Sequence, residues 1–190
     1  MKESNFVSAV VYLRQCRESV VPFLTRLHAT LRENFKKFEL ICVDDASDDG
    51  SGQAVRDFAA GVDGAMVSLL RMSYPQGVEA SMNAGVDLAI GDFVFEFDST
   101  ALDYPAQLVM EVYRTALTGF DIVSATPEGG GRFTSRLFYR VFNRYANIQY
   151  QLETERFRIL SRRAINRVHA MSRTIPYRKA LYANCGLKLE

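Results

Sequence analysis

The sequence predicts a doubly wound α/β domain, and three observations carry that prediction. Short apolar runs recur at residues 6–13, 40–43, 65–71, 93–98 and 120–125, with stretches of helical spacing between them. Strands that alternate with helices imply parallel βαβ crossovers. The first run, Phe6-Val7-Ser8-Ala9-Val10-Val11-Tyr12-Leu13, is apolar at nearly every position, as expected of a strand covered on both faces. Third, the run Leu40–Val43 stops abruptly at two adjacent carboxylates, Asp44 and Asp45, followed by Ala46, Ser47, Asp48, Asp49 and Gly50. In an open α/β sheet, ligands sit beyond the carboxyl ends of the strands. An ionised carboxylate at that rim only accepts hydrogen bonds, which suits a base N–H or a ribose hydroxyl. The same acids would equally well solvate a turn and cap the next helix, with Asp48 or Ser51 at the cap.

Taken in order, residues 19–34 read as a helix with Val20, Phe23, Leu24, Leu27 and Leu31 on one face, Pro22 being tolerable only in a first turn. His28 falls among these positions and is assigned no role. Residues 51–60 form a short helix and 65–71 a third strand. A helix rich in small residues follows over 77–90, ended by Gly91 as a C-terminal cap. Asp92 opens a strand over 93–98, a helix covers 105–118, and a fifth strand runs over 120–125. Gly-x-Gly-x-x-Gly does not follow the first strand and no Walker A lysine loop occurs, which disfavours dinucleotide and P-loop chemistry.

The chain has 190 residues and 48% hydrophobic content, enough for one real core. Nothing in the first twenty residues resembles a signal peptide, and no run approaches the ~18 apolar residues needed to span a bilayer. Cys16, Cys42 and Cys185 are widely spaced and form no metal or disulfide pattern, which fits a reducing cytosol. Cys42 reads as a small core residue. The net charge of +1 hides a split: residues 1–131 hold 10 Lys and Arg against 19 Asp and Glu, a net −9, and residues 132–190 hold 13 against 3, a net +10. That asymmetry points the C-terminal third toward something anionic, and no nucleic-acid motif accompanies it. Gly129-Gly130-Gly131 marks the junction, so residues 1–131 form the α/β part and 132–188 a basic, amphipathic part of the same domain. In the latter, Phe133, Leu137, Phe138, Val141, Phe142 and Tyr145 make an apolar stripe beside Arg136, Arg140 and Arg144. The stripe packs on the sheet domain or docks into a lipid headgroup layer. Leu189-Glu190 reads as a cloning remnant.

With these pieces placed, the chain resembles the family 2 glycosyltransferases of the GT-A fold, a mostly parallel Rossmann-like sheet flanked by helices. It is most similar to the polyprenyl-phosphate type, the dolichol-phosphate mannose synthases and undecaprenyl-phosphate sugar transferases. The resemblance runs from residue 7 to about 188. Val43-Asp44-Asp45-Ala46-Ser47-Asp48-Asp49-Gly50-Ser51 looks like the family's Val-Asp-Asp-Gly-Ser-x-Asp-Gly-Thr loop. Arg71-Met72-Ser73 to Gly77, Asn83-Ala84-Gly85 and Ala89-Ile90-Gly91-Asp92 are similar to its next segment. Phe97-Asp98-Ser99-Thr100-Ala101-Leu102-Asp103-Tyr104-Pro105 falls where the family has Asp-x-Asp-x-Gln-x-Pro-Pro. Ser135–Arg140 and Phe157–Arg163 look like its later, membrane-proximal segments.

The resemblance implies transfer of a sugar from a nucleotide-sugar to a polyprenyl phosphate or related acceptor, by a cytoplasmic protein peripheral to the inner face of a membrane, in cell-envelope glycan synthesis. It implies Asp44, Asp45 and Asp98 as nucleotide-sugar contacts, Arg158, Arg136 and Arg140 as acceptor-phosphate contacts, and a divalent ion, Mg²⁺ or Mn²⁺, near Asp98. The chain departs from the family pattern at several positions. The family's Pro-x-x-Asn-Glu reads Leu13-Arg14-Gln15-Cys16-Arg17, its second metal carboxylate is Thr100, its glutamine is Leu102, and the acid before Phe157-Arg158 is Arg156. One carboxylate beside a neutral hydroxyl makes a poor site for a hard cation. Glu96, two residues before Asp98 and on the same strand face, is either a replacement metal ligand or the structural partner of a buried arginine. The alternative function is a catalytically silent relative that acts as a binding or assembly partner in glycan synthesis.

Overall fold

The computed structural model of the chain describes residues 2–64, 66–125, 155–171 and 177–189. The described elements run β1 (Glu3–Leu13), α1 (Arg17–Asn34), β2 (Phe35–Asp44), α2 (Ser51–Gly61), β3 (Met66–Arg71), α3 (Gly77–Leu88), β4 (Phe93–Phe97), α4 (Gln107–Leu117) and β5 (Ile122–Ala125). They continue with β6 (Phe157–Ser161), α5 (Arg162–Met171) and α6 (Arg178–Asn184). One six-stranded sheet has the order β3-β2-β1-β4-β6-β5. β1 pairs in parallel with β2 and β4, and β2 with β3. β6 runs antiparallel between β4 and β5. The chain winds outward from β1 in one direction and from β4 in the other, so the switch point lies between them, and ligand crevices form at such points.

Two apolar layers follow from strand alternation. Val7, Ala9, Val11 and Leu13 of β1 join Phe95 and Phe97 of β4 against Phe23, Leu24, Leu27 and Leu31 of α1 and Val109, Met110 and Tyr113 of α4. On the opposite face Val10, Ile41, Val43 and Val94 pack with Met82 and Val86 of α3, Ile165 and Val168 of α5 and Tyr182 of α6. Cys42 is buried in the first layer, and burial pushes its thiol up to about 12. His28 is also buried there, against the rings of Phe38 and Phe58, and burial holds its pKa below the usual value.

Several expectations change in detail. α1 starts at Arg17, so Pro22 lies in its second turn rather than its first, where it cannot donate the usual helix hydrogen bond. β2 begins directly after α1 and is ten residues long, not four, because Phe35 and Phe38 are buried ahead of the run read from sequence. α3 ends at Leu88 with Ala89 as its C-cap, so Gly91 is not a cap. Gly91 is required by close approach: a Cβ there would meet the backbone nitrogen of Ser8 at 2.6 Å. The amphipathic stripe at residues 133–145, with Arg136, Arg140 and Arg144, lies outside the described residues.

Gly85 lets α3 lie directly on the sheet. A Cβ at this position would come within 2.7 Å of Val43 Cγ2 and closer still to Val10. Gly85→Ala is therefore expected to destabilise the fold by about 1–3 kcal/mol, the usual range for overpacking. Urea unfolding would show it as a lower midpoint at unchanged slope, and an unaltered midpoint would refute the contact.

Candidate functional site at the carboxyl edge of the sheet

The acidic loop that follows β2 is bonded to the starts of three helices. Before α1, the backbone N–H groups of Gln15, Cys16 and Arg17 donate in turn to Ser47 Oγ at 3.0 Å, Ser51 Oγ at 2.9 Å and Asp49 Oδ2 at 2.9 Å. For α2, Asp49 Oδ1 accepts the Ser51 N–H at 2.9 Å. Asp49 thus does the work expected of Asp48 or Ser51, and the N-cap is Gly50 with a left-handed φ of 90°. For α3, Asp45 accepts the N–H groups of Gln76 at 2.7 Å and Gly77 at 3.0 Å. Orphan amides and the positive end of the macrodipole make a helix start a good place for a carboxylate.

These bonds decide what Asp44 and Asp45 do. Both are buried, at 0% and 2% exposure. Asp45 also accepts the Tyr12 hydroxyl at 3.0 Å. Burial raises the Asp45 pKa, but the Gln76 and Gly77 amides and Tyr12 outweigh it and hold the carboxyl below its ordinary value. The Tyr12 phenol is pushed up to about 12 by burial and by this carboxylate. Asp44 Oδ1 accepts the Ser47 N–H at 3.0 Å, and its Oδ2 lies 3.2 Å from Arg71 Nε. That contact is an ion pair without hydrogen-bond alignment, and Asp44 Oδ2 is a buried oxygen with no hydrogen-bond donor of its own.

The residues in place of the family's Pro-x-x-Asn-Glu brace the same loop. Arg14 Nη1 donates to the carbonyls of Asp45 at 2.5 Å and Ala46 at 2.7 Å, and Gln15 exchanges bonds with Asp48 through its side-chain amide. Gln15 and Ala46 adopt φ of 47° and 53°. Non-glycine residues rarely take that conformation, and such positions gather at functional sites. Ala46 stands where the resembling loop carries glycine. An open cleft beyond the end of β1 is lined by Gln15, Cys16, Arg17, Glu18, Ser19 and Asp49.

The second cluster sits at the end of β4, on the sheet face covered by α3 and α6. Glu96 is fully buried and bonds through Oε2 to Arg158 Nη1 at 3.1 Å and through Oε1 to the Tyr182 hydroxyl at 2.7 Å. Asp98 receives Arg158 Nη2 at 3.0 Å and Arg178 Nη2 at 2.9 Å. Glu155 holds Arg158 Nε at 2.6 Å, and Glu79 holds both the backbone N–H and Nε of Arg178. Arg158 and Arg178 are 1% and 0% exposed. Burial opposes their charge, but Glu155, Glu96 and Asp98 around Arg158 and Glu96 and Asp98 around Arg178 outweigh it and raise both pKa values. Burial and the Glu96 charge together push the Tyr182 phenol well above its ordinary value.

This donor set does not fit a divalent cation. Such ions take converging oxygens, including one or two carboxylates, in an unencumbered cage. Here each oxygen of Asp98 faces a guanidinium, as does Glu96 Oε2. Thr100, the position of the expected second carboxylate, is turned away: its hydroxyl bonds Ser19 Oγ of α1 at 2.6 Å. Among the described residues no three acidic, histidine or cysteine side chains are grouped to hold a metal. Arg156 pairs with Asp103 at 2.8 Å.

The structure therefore brings Glu96, Asp98 and Arg158 together and places Asp44 and Asp45 in a separate set of bonds. Arg136 and Arg140 lie outside the described residues. Arg178, Tyr182, Glu79 and Gln15 were not singled out from sequence. Glu79 alone carried a signal, as an acid in the first turn of a helix.

A six-stranded, mostly parallel sheet with these two clusters at one edge defines a GT-A-type α/β domain. The sequence model of glycosyl transferase family 2 matches residues 10–184, and the chain belongs to that family. An uncharacterised glycosyltransferase of Synechocystis is 26% identical over 188 residues, covering 96% of this chain and 58% of that protein. An undecaprenyl-phosphate 4-deoxy-4-formamido-L-arabinose transferase of Aeromonas hydrophila is 31% identical over 119 residues, 63% of this chain and 36% of that protein. The chain thus spans only part of the length of the curated relatives it matches. Among solved structures it is similar to a mannosyltransferase of Pyrobaculum calidifontis in complex with GDP-Man and Mn²⁺, with TM-score 0.68, 20% identity, and 87% and 47% of the two chains covered. It is also similar to glucosyl-3-phosphoglycerate synthase of Mycobacterium tuberculosis with Mn²⁺, UDP and phosphoglyceric acid, with TM-score 0.61, 14% identity, and 84% and 57% covered. These likenesses establish the GT-A fold.

Two measurements test the geometry. A carboxyl whose folded pKa is depressed contributes stability that is present above its unfolded pKa and lost as pH falls through the folded one. The protein should therefore lose stability from pH about 4 downward, and Asp45→Asn should lose less over that range; parallel curves would assign the loss elsewhere. Arg158→Met leaves Glu96 buried with only the longer contact to Arg178 Nη1, at 3.5 Å, and should cost about 3–5 kcal/mol. Adding Glu96→Leu should recover a large part of that loss, and strict additivity of the two changes would remove the pair from the stability of the fold.

Proposed function

We propose that this domain binds a nucleotide-sugar in the crevice beyond β1 and β4 and transfers its sugar to a polyprenyl phosphate or a related phosphate acceptor. The observation that carries the reading is the open cleft beyond the end of β1, beside the acidic loop after β2, within a chain of glycosyl transferase family 2. In this reading Asp44 and Asp45, both buried, act by shape, fixing the loop that forms one wall of the cleft. The phosphate acceptor is supported by the relatives named as undecaprenyl-phosphate transferases and by the basic C-terminal third. Arg136 and Arg140 are the acceptor-phosphate residues of the proposal, at the inner face of a membrane; Arg158, expected beside them, is buried with its three guanidinium nitrogens bonded to Glu155, Glu96 and Asp98. No described helix is long and apolar enough to cross one.

The chemistry is displacement at the anomeric carbon. An acceptor phosphate oxygen forms the new bond while the nucleoside diphosphate leaves with the bonding electron pair. A phosphate monoester loses its second proton near pH 6, so this nucleophile is already anionic at neutral pH. A general base is then unnecessary, and Arg156 in place of an acid is compatible with turnover.

A second reading, a silent binding or assembly partner, is favoured by Thr100 being bonded to Ser19 and by the guanidiniums set against Asp98. One series separates the two. UDP-, GDP- and CMP-sugars are screened by thermal unfolding, and those that bind are assayed for transfer to a short-chain polyprenyl phosphate. At a concentration ~100 times Kd a bound nucleotide should add about 2.7 kcal/mol, or roughly 5–10 °C. Binding with transfer supports the enzyme, binding without transfer the silent partner, and no stabilisation by any nucleotide refutes both uses of the crevice.

A further inference from the structure

The segment that joins β4 to α4, residues 98–106, is exposed at most of its positions, and Thr100 is its one buried residue, at 8% exposure. A polar side chain turned inward from an exposed loop anchors that loop when it finds a partner. The partner is Ser19 in the first turn of α1, whose Oγ lies 2.6 Å from Thr100 Oγ1. Ser19 Oγ also donates to the Cys16 carbonyl at 3.2 Å. One arrangement uses both hydroxyl protons: Thr100 donates to Ser19, and Ser19 to Cys16. The other ties of the segment lie at its two ends. Asp98 is bonded to Arg158 and Arg178, Asp103 pairs with Arg156, and the Tyr104 carbonyl and ring meet Arg26. None of these residues lines the open cleft beyond β1, whereas Ser19 does, beside Gln15, Cys16, Arg17, Glu18 and Asp49. The hydroxyl pair thus joins a wall of the cleft to the loop after β4, between residues 81 positions apart.

Resting on the reading of this cleft as the donor site, we infer that Ser19 is a positioning residue: through Thr100 it latches the loop after β4 to α1, and the latched loop is the form that binds the nucleotide-sugar. The physical argument is one of populations. Among the described residues, the Ser19–Thr100 pair is the one side-chain bond from residues 99–102 to another element. β1 and β4 are paired in the sheet, so the segments that leave their carboxyl ends run side by side, and this bond sets their spacing. A ligand that binds one conformer loses affinity in proportion to the fraction of protein in that conformer. Breaking the pair leaves a buried hydroxyl without its partner, which favours the unlatched loop. Thr100 stands where the resembling motif carries a carboxylate, and in this chain that position fixes the loop.

The test reads binding and loop motion together. Affinities for UDP-, GDP- and CMP-sugars are measured by calorimetry, and amide hydrogen exchange is followed across the chain. Ser19→Ala and Thr100→Val should each weaken binding by about fivefold or more, the scale of one hydrogen bond. Because the two residues act as one latch, the double variant should lose little more than either single change. Ser19→Thr and Thr100→Ser keep the hydroxyls and should stay within about twofold of the unmodified protein. Exchange over residues 98–106 should quicken in Ser19→Ala while β1 and β2 keep their protection, which also shows that the variant is folded. A lower unfolding midpoint with affinity unchanged in every variant would make the pair structural only, and that result overturns the inference while leaving the donor site standing. Losses that multiply in the double variant, or exchange over 98–106 unmoved by Ser19→Ala, also overturn it. No binding of any of the three nucleotide-sugars to the unmodified protein refutes the donor site itself, and the inference with it.

Discussion

The structure depends most on one electrostatic constraint: several helices start at the same edge of a parallel sheet, and their unpaired amides must find acceptors there. A βαβ crossover obliges every helix to begin where a strand ends, so α1, α2 and α3 all bring N–H groups to the carboxyl edge. The loop after β2 supplies the acceptors for all three. Ser47, Asp49 and Ser51 serve the approach to α1, Asp49 serves α2 and Asp45 serves α3. The loop can do this because β2 lies between β1 and β3, with α1, α2 and α3 starting around it. The acid-rich composition of residues 44–51 is thus a consequence of the topology before it is a statement about a ligand. Left-handed backbone at Gln15 and Ala46 is part of the same compromise, because each turn must bend back to reach the other.

That constraint explains which parts were legible in the sequence. Parallel strands read as continuous apolar runs because both faces are covered, and Val7 to Leu13, Leu40 to Val43 and Phe93 to Phe97 announce themselves. The pair Asp44-Asp45 was visible as an abrupt change of polarity. Its use was not, since the partners Gln76 and Gly77 are 31 and 32 residues away and are backbone groups, which carry no residue signature. β6 went unrecognised for a related reason. It is five residues long, and Arg158 interrupts its apolar pattern on the face turned to α6. Only the sheet shows that this arginine stands opposite Glu96, in an antiparallel register. The two-residue spacing of Glu96 and Asp98 correctly placed both on one face, but spacing cannot say whether a cation or a guanidinium lies between them.

A buried group of this kind specifies structure more than it stabilises it. Removing guanidinium and carboxylate from water costs much of what their attraction returns. What the cluster does is join segments far apart in the chain: β4 through Glu96 and Asp98, α3 through Glu79, β6 through Arg158, and α6 through Arg178 and Tyr182. An apolar contact could be satisfied by several registers of β6, whereas Arg158 can reach Glu96, Asp98 and Glu155 together in only one. The antiparallel strand is thereby fixed between β4 and β5, and the wall of the crevice with it.

The same pairing revises what the charge split means. A net −9 followed by +10 invites an external anionic partner, yet many of the described basic residues are already engaged within the fold. Arg156 meets Asp103, Arg158 meets Glu96 and Asp98, Arg163 meets Asp121, and Arg178 meets Glu79 and Asp98. Arg162 donates to the carbonyls of Ala89 and Gly91 after α3, and Arg167 to that of Cys185. Arg156, Arg158, Arg163 and Arg178 thus neutralise acids of the domain across an internal boundary, and their charge is not available in full to a membrane or a phosphate. The four arginines at 132, 136, 140 and 144, which lie outside the described residues, are among the basic residues of that third for which the described structure shows no internal partner. A sequence charge count overstates an electrostatic surface whenever the two halves that carry the opposite signs fold against each other.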